Sequence, residues 1–156
     1  MMGHLMMRIV RVVPLVAGLV THCAAPPASD LPRLTIPAIG LSHVVVVGDQ
    51  QQIDEGNVVN YGHDSDGACW PGEGCTVWLA GHRTSHGGVL RNLPQLEAGD
   101  ELSLQYDGST IVYVVTDSSL VDRLDPPPDF LHGDLMIQTS WTHGRVLLVY
   151  ADQVST

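Results

Sequence analysis

Short β-rich runs separated by turn residues constrain the fold of this 156-residue chain more than any other feature of its sequence. The runs are RLTI (33–36), HVVVV (43–47), TVWLA (76–80), ELSLQY (101–106), TIVYVV (110–115), DLMIQT (134–139) and RVLLVY (145–150). Many short strands with turn signals between them are typical of an all-β barrel. We therefore predict a mainly β fold, a closed barrel of about seven or eight strands with one or two short helices.

Two of the connections between these runs look like hairpins. The Asp107-Gly108 step is the strongest hairpin signal in the chain. The turn at 141–144 is also short, so the last two runs are expected to pair as a hairpin. Such a pairing would bring Ser140 and Arg145 to the same end of the sheet.

Helical patterns are few, and two long segments lack periodicity. Apolar residues recur at roughly helical spacing only in 88–96, which predicts one or two turns, and 50–56 predicts a shorter helix. The polar, Gly-rich segment 57–74 and the Pro-rich segment 122–133 are predicted to be loops. Loops of this length in a compact domain are usually functional rims or lids.

Composition excludes several classes of protein. The chain has 16 Gly and 10 Pro, too many for a helix bundle, and no apolar run near the roughly 20 residues of a membrane-spanning helix. Its formal net charge is -10, and all seven basic residues are Arg. Nucleic acid is therefore not an expected partner, because binding it requires neutralising phosphates with Lys and Arg. The acidic excess itself is explained by solubility.

The N-terminus resembles an export signal. Arg8 and Arg11 precede the apolar run at 12–20, and small residues follow around Cys23. This order is typical of a secretory signal peptide, which we place at 1–23. Cleavage, lipidation at Cys23 and simple retention near the membrane all remain open. In each case the protein is expected to work outside the cytoplasm, secreted or membrane-associated at the cell surface.

The remainder is predicted to be a linker, 24–32, and one domain, 33–156. Export permits disulfides. Cys69 and Cys75 bracket the turn-like segment 70–74, and we expect them to be paired. A reactive thiol is less favoured because neither cysteine has a basic neighbour in sequence, and a zinc pair lacks a second pair of cysteines.

Three residues at predicted strand ends could perform acyl transfer. His82 follows an apolar strand and opens a Gly-rich loop, Ser140 ends the next-to-last strand, and Arg145 begins the last one. A base, a hydroxyl nucleophile and a guanidinium that stabilises an oxyanion would suit that chemistry. On spacing alone, however, a histidine beside glycines is more often a turn residue, and a serine at a strand end is more often a cap.

Longer motifs follow one another along the chain in this order: TIPAIGL (35–41), PGEG (71–74), LAGHR (79–83), the GG-x-x-x-x-L-x-x-L-x-x-GD pattern (87–100) and QTSW (138–141) with Arg145. Both the motifs and their order resemble those of bacterial sortases, in particular the actinobacterial class E-like members. The resemblance extends from Leu34 to Ala151. The resemblance implies a sortase-like barrel that cleaves a Leu-Pro-x-Thr-Gly-type sorting signal of a surface protein. It further implies transfer of the acyl group to an amine on the envelope or a pilin.

The resemblance also assigns roles to residues. His82 matches the family histidine and Arg145 the family arginine, whereas Ser140, after Thr139, takes the position of the family cysteine. Thr139 and Trp141, which flank Ser140, are the expected substrate-binding residues. A thiolate needs no strong base, but a serine needs His82 neutral and oriented as a general base.

The serine leaves two hypotheses open. The first is a sortase-like transpeptidase or hydrolase with serine chemistry, and the second is a pseudoenzyme that binds peptides without turning them over. A carboxylate bonded to His82 would favour the first hypothesis. The candidates for that carboxylate are Asp64, Asp66 and Glu73, all in the segment before the strand that leads to His82.

No cofactor is expected, because the chain lacks a phosphate loop and a dinucleotide fingerprint. A zinc site is a weaker alternative, since His82 and His86 have i, i+4 spacing and His63 lies upstream with two aspartates. The glycine pair Gly87-Gly88 argues against a helix that would align the two rings. We therefore predict no metal.

Overall fold

The computed structural model describes residues 31–61 and 69–155. The predicted signal peptide and most of the predicted linker lie outside the described residues. The strands are β1 (Arg33–Ile36), β2 (Leu41–Gly48), β3 (Val58–Tyr61), β4 (Val77–Gly81), β5 (Glu101–Tyr106), β6 (Ser109–Asp122), β7 (Leu135–Ser140) and β8 (Arg145–Gln153). They close a barrel in the order β1-β2-β3-β4-β7-β8-β6-β5. The prediction of a closed, mainly β barrel is confirmed.

Strand β3 was missed, because the segment 57–74 was predicted to be a loop. Its four residues, VVNY, are too short and too mixed to show alternation. They form a strand because two neighbours supply partners: β2 pairs with them in parallel, Val45 opposite Val58, and β4 pairs antiparallel, Val59 opposite Ala80. Tertiary context decides strand formation where local propensity is weak.

Strand β6 is longer than predicted and crosses a polar segment. It runs to Asp122, although the apolar pattern ends near Val115. A bulge between Val115 and Asp117 shifts the register, after which the strand continues along β8 with Asp117 opposite Tyr150. The backbone hydrogen bonds of an antiparallel ladder do not depend on side-chain polarity, so the exposed face can be polar.

The expected hairpins are both present. Asp107 and Gly108 have φ angles of +48° and +71°, the two left-handed conformations that a type I′ hairpin turn requires. Strand β7 pairs antiparallel with β8, with Ser140 opposite Val146. Ser140 and Arg145 therefore lie at the same end of the sheet, as predicted.

Helices are short, as expected. Helix α1 (Gln50–Asp54) begins with a capping box in which the Asp49 side chain accepts a hydrogen bond from Gln51 N, while the Gln52 side chain accepts one from Asp49 N. Segment 88–96 contains one 3₁₀ turn, Leu93–Gln95. Among the described residues, no helix is long and apolar enough to cross a membrane.

Strand alternation divides the apolar residues of β4, β7 and β8 between two faces of the sheet. Leu79, Ile137 and Val149 belong to the main core inside the barrel. Their neighbours Met136 and Leu148 belong to a second cluster, against which Trp78, Val121, Phe130 and Leu131 pack. Because Phe130 and Leu131 lie between β6 and β7, this connection covers the outer face of β7 and β8.

A disulfide closes the turn before β4. Cys69 and Cys75 are bonded, with their Cα atoms 6.1 Å apart. The Trp70 ring stacks on Tyr106 at a centroid distance of 4.5 Å, and buried Asn60 donates its Nδ2 proton to Cys69 O at 2.8 Å. These contacts fix the turn to β3 and β5.

Candidate active site

Three neighbouring strands bring the predicted chemical residues to one end of the barrel. Strand β4 pairs in parallel with β7, with Gly81 opposite Thr139, so the next residues, His82 and Ser140, lie at the same end of the two strands. Strand β8 begins at Arg145 on the other side of β7. His82, Ser140 and Arg145 all line one cleft of about 510 Å³.

The cleft lies on the outer face of the sheet. Apolar side chains line much of it: Ile53, Tyr61, Trp78, Val121, Phe130, Val146 and Leu148. Pro126 from the connection between β6 and β7 lines it as well. The polar groups of His82, Ser140 and Arg145 therefore share a concave site with an apolar floor, which is the usual character of a ligand site.

Both nitrogens of the His82 ring are hydrogen-bonded. Nε2 lies 2.7 Å from Oδ1 of Asp54, and Nδ1 lies 3.0 Å from Oγ of Ser85. The hydrogen bond from His82, and then the one from Gln50, hold the pKa of Asp54 below its usual value. Asp54 is thus ionised at neutral pH and can only accept, so a neutral His82 carries its proton on Nε2. The basic lone pair is then on Nδ1, where the Ser85 hydroxyl donates to it.

The carboxylate on His82 is not one that the sequence suggested. The prediction for Glu73 is wrong, because its Oε2 accepts a hydrogen bond from Trp70 N at 2.7 Å within the disulfide turn. Asp64 and Asp66 lie outside the described residues. Asp54 is the last residue of α1, 28 positions before His82. Nothing in the spacing of the two residues signals that contact, which exists because Ile53 of α1 packs in one cluster with Val59 of β3 and Ala80 of β4.

A second arginine, Arg83, which the sequence analysis did not single out, contacts Ser140. Arg83 Nε donates a hydrogen bond to the carbonyl oxygen of Ser140 at 2.9 Å. Its guanidinium carbon lies 4.4 Å from the ring centroid of Trp141, a cation–π contact. Arg145 is exposed at the rim of the cleft. The one available signal for Arg83 was its place beside His82 in a chain with few arginines.

The residues on either side of Ser140 hold the strand ends together. Thr139 is only 2% exposed, and its Oγ1 donates to the carbonyl oxygen of Gly81 at 2.8 Å. This bond joins β7 to β4 directly below the cleft. Trp141 lines the cleft, and its ring packs against the guanidinium of Arg83. Both expected substrate-binding residues thus lie at the cleft, where they also position the catalytic candidates.

His86 lies against His82 without the helix that the glycine pair argued against. No helix forms at 82–86, but the ring centroids of the two histidines are 4.6 Å apart. The left-handed backbone of His86, with φ +46°, makes the tight turn that brings the rings together. Asp54, His82 and His86 form a group whose potential ligand atoms all lie within 4.8 Å of one another.

Comparisons with known proteins identify the family and the fold. The family model described as the sortase domain matches residues 34–140. A search of curated protein sequences finds no match.

Solved structures of several sortase classes resemble the fold. One is a sortase D5 transpeptidase of Clostridium perfringens, with a TM-score of 0.68 and 22% identity over 81% of this chain and 79% of that one. Sortase E1 of Streptomyces coelicolor, solved with a tripeptide in its active site, gives 0.67 and 22% over 81% and 88%. Sortase C-1 of Actinomyces oris gives 0.67 and 26% over 81% and 76%. Since classes C, D and E superpose about equally well, the fold alone selects none of them. The domain match covers more than half of the chain, and the protein therefore belongs to the sortase family.

Proposed function

We propose that this protein is a sortase-type transpeptidase or peptidase with serine chemistry, acting on a Leu-Pro-x-Thr-Gly-type sorting signal. Ser140 is the nucleophile, His82 the general base, and Arg145 the group that stabilises the oxyanion. The observation that carries the proposal is the 2.7 Å hydrogen bond between Asp54 and His82. His82 lines the same cleft as Ser140. A carboxylate that orients a neutral imidazole is what a serine nucleophile needs and a thiolate does not.

The reaction follows the pattern of acyl transfer. His82 Nδ1 accepts the proton of the Ser140 hydroxyl while Oγ attacks the scissile carbonyl carbon, and the new oxyanion faces the guanidinium of Arg145. The leaving amine then takes the proton from His82, and an ester to Ser140 remains. An acceptor amine, or water, attacks that ester and restores the serine. In this sequence Asp54 stabilises the imidazolium without accepting its proton.

The Ser85 hydroxyl has to leave His82 before the reaction can begin. Its hydroxyl occupies Nδ1 of His82 at 3.0 Å, so the ring has to exchange Ser85 for Ser140 before proton transfer. Both serines are exposed, and an exposed hydroxyl–imidazole bond contributes only about 0.5–1.5 kcal/mol. Binding of a peptide in the cleft can supply that energy. Arg83 meanwhile holds the backbone of Ser140 in place.

The partners follow from the family. Sortases in general act at the cell envelope on a sorting signal and an amine acceptor. For this chain we propose a surface-protein signal, an envelope or pilin amine, and an extracytoplasmic location near the membrane through the N-terminus. The apolar floor formed by Trp78, Phe130 and Leu148 supports the binding of an extended, apolar peptide. The motifs around LAGHR (79–83) further support a class E-like member.

A pseudosortase that only binds peptides is the second candidate. The observation in its favour is the hydrogen bond between Ser85 and His82 Nδ1, which occupies the nitrogen that serine chemistry needs. In that case the cleft would bind a sorting signal without cleaving it.

The test is to incubate the protein with a library of Leu-Pro-x-Thr-Gly-like peptides and an amine acceptor. Native turnover is expected to disappear in Ser140→Ala. It should fall by on the order of 10²-fold or more in Asp54→Asn, because an unoriented His82 is a poor base. Glu55→Gln is the matched control, since it removes the adjacent carboxylate but leaves the Asp54–His82 bond intact, and its turnover should be near native.

The remaining outcomes separate the two candidates. Turnover that requires Ser140→Cys would support the pseudosortase with an intact groove. Native turnover that survives Ser140→Ala would refute the assignment of the nucleophile. An absence of cleavage and of peptide binding in every variant would refute both candidates.

A further inference from the structure

We propose that Asp54, His82 and His86 form a Zn²⁺ site at the edge of the active-site cleft, and that zinc bound there switches off His82. The binding part of the proposal is independent of the reaction. The switching part rests on the proposed function, because it requires His82 to act as the base.

The donor set matches zinc better than a hard cation. Two imidazoles and a carboxylate are typical ligands of Zn²⁺ sites that keep a fourth, open position. Mg²⁺ and Ca²⁺ prefer oxygen ligands, so the two histidines select against them. The three residues are also accessible to a metal from solution: Asp54 and His86 are exposed, and the His82 side chain is 16% exposed.

The three side chains are close to the arrangement that zinc needs. Their potential ligand atoms all lie within 4.8 Å of one another, and two of them, Asp54 Oδ1 and His82 Nε2, are already 2.7 Å apart. Tetrahedral zinc with bonds of about 2.0–2.2 Å places its ligand atoms roughly 3.3 Å apart. Small side-chain rotations, mainly of exposed His86, are therefore sufficient.

The backbone holds the two ligand-bearing segments against each other. Asp54 is the last residue of α1, and Gly56 follows two residues later with φ +90°. Gly56 lies so close to the turn at His86 that a Cβ there would be 2.8 Å from the His86 carbonyl oxygen. His86 itself adopts a left-handed conformation that is uncommon for a residue with a side chain. Such conformations persist where surrounding structure enforces them and are frequent at functional sites.

Ser85 supplies the outer partner that a metal-bound histidine usually has. Histidine ligands commonly donate their second ring N–H to a neighbouring acceptor, which fixes the ring orientation. When zinc binds the Nε2 lone pair of His82, the single proton of the neutral ring shifts from Nε2 to Nδ1, and Ser85 Oγ, at 3.0 Å, can accept a hydrogen bond from it. The ring then has no free lone pair, so it cannot take the proton of Ser140.

The test begins with binding alone. The metal-free full-length protein is titrated with ZnCl₂ by calorimetry and with Co²⁺ by visible absorption, which reports tetrahedral coordination. A site that is lost in His86→Ala is expected, with an affinity decrease greater than the roughly 10- to 100-fold that removal of an outer partner costs. His132→Ala is the matched control, because it removes another exposed histidine that lies far along the chain, and its titration should be unchanged.

Zinc that does not bind the native protein, or that binds His86→Ala equally well, would overturn the proposal. Where native turnover is measurable, zinc should inhibit it and a chelator should restore it, whereas zinc should leave the turnover of His86→Ala at that variant's own zinc-free rate, whatever that rate is. Zinc binding without inhibition would refute the switching part of the proposal but not the binding site itself. Because binding is measured without a peptide, failure of the proposed function leaves this result intact.

Discussion

Replacing Gly56 with alanine tests whether α1 and the His86 turn are packed as tightly as the structure indicates. Gly56 has φ +90°, and an added Cβ would lie 2.8 Å from His86 O, which is 0.6 Å inside the ordinary contact limit of 3.4 Å. Two costs arise. The left-handed backbone costs alanine about 1–2 kcal/mol. Relief of the contact moves backbone rather than a flexible side chain, and overpacking of this kind costs about 1–3 kcal/mol.

Gly72→Ala separates the two costs. Gly72 has φ +88°, nearly the same φ angle as Gly56, but nothing lies within 4 Å of the added Cβ. It should therefore lose only the first amount, about 1–2 kcal/mol. The difference between the two variants, about 1–3 kcal/mol, isolates the contact with His86.

The assay is chemical and thermal unfolding of both variants, followed by circular dichroism. At roughly 4 °C per kcal/mol for a domain of this size, Gly56→Ala should melt about 4–12 °C below Gly72→Ala. Gly56→Ala should also weaken zinc binding, because it displaces His86, whereas Gly72→Ala should not. Equal melting temperatures for the two variants would refute the close packing of the two segments and, with it, the fixed geometry of the metal site.

Arg83→Met and Trp141→Leu should show a coupling of about 0.5–2 kcal/mol in a double-mutant cycle, because their cation–π contact is half-buried, and additive losses would contradict that contact. Burial raises the pKa of Tyr113 to about 12 from 10.0, so the native state holds this proton more tightly than the unfolded chain does. The stability that this proton contributes is complete below pH 10 and is lost between pH 10 and about 12. The unfolding free energy, measured with denaturant across this window, should therefore fall more for the native protein than for Tyr113→Phe. The disulfide between Cys69 and Cys75 closes a short loop with a separation of 6 residues, and reduction should lower the unfolding free energy by about 2 kcal/mol, measured with and without reductant. No change on reduction would mean that the turn is held by its other contacts.

Local patterns account for most of the barrel. Alternating apolar residues identify a strand without knowledge of its partner, which is why seven of the eight strands were predicted. The Asp107-Gly108 turn is equally local, because the left-handed conformations it needs belong to those two residues. Strand β3 (Val58–Tyr61) is the exception, since it exists only because β2 and β4 supply partners on both sides.

The candidate site divides in the same way. The resemblance to sortases named His82, Ser140 and Arg145, and the strand order β4-β7-β8 brings them to one cleft. The resemblance did not indicate Asp54 or Arg83. Asp54 lies 28 residues from His82, and Arg83 lies 57 residues from Ser140.

The sequence by itself therefore determined the fold class, the positions of most strands and the three residues at their ends, because these follow from short-range patterns and family motifs. Only the tertiary structure decided that Asp54 orients His82, that Ser85 occupies its other nitrogen, and that His86 stacks against it. The physical reason is that hydrogen bonds between distant segments depend on how the strands and α1 pack in three dimensions. The spacing of residues along the chain does not predict that packing.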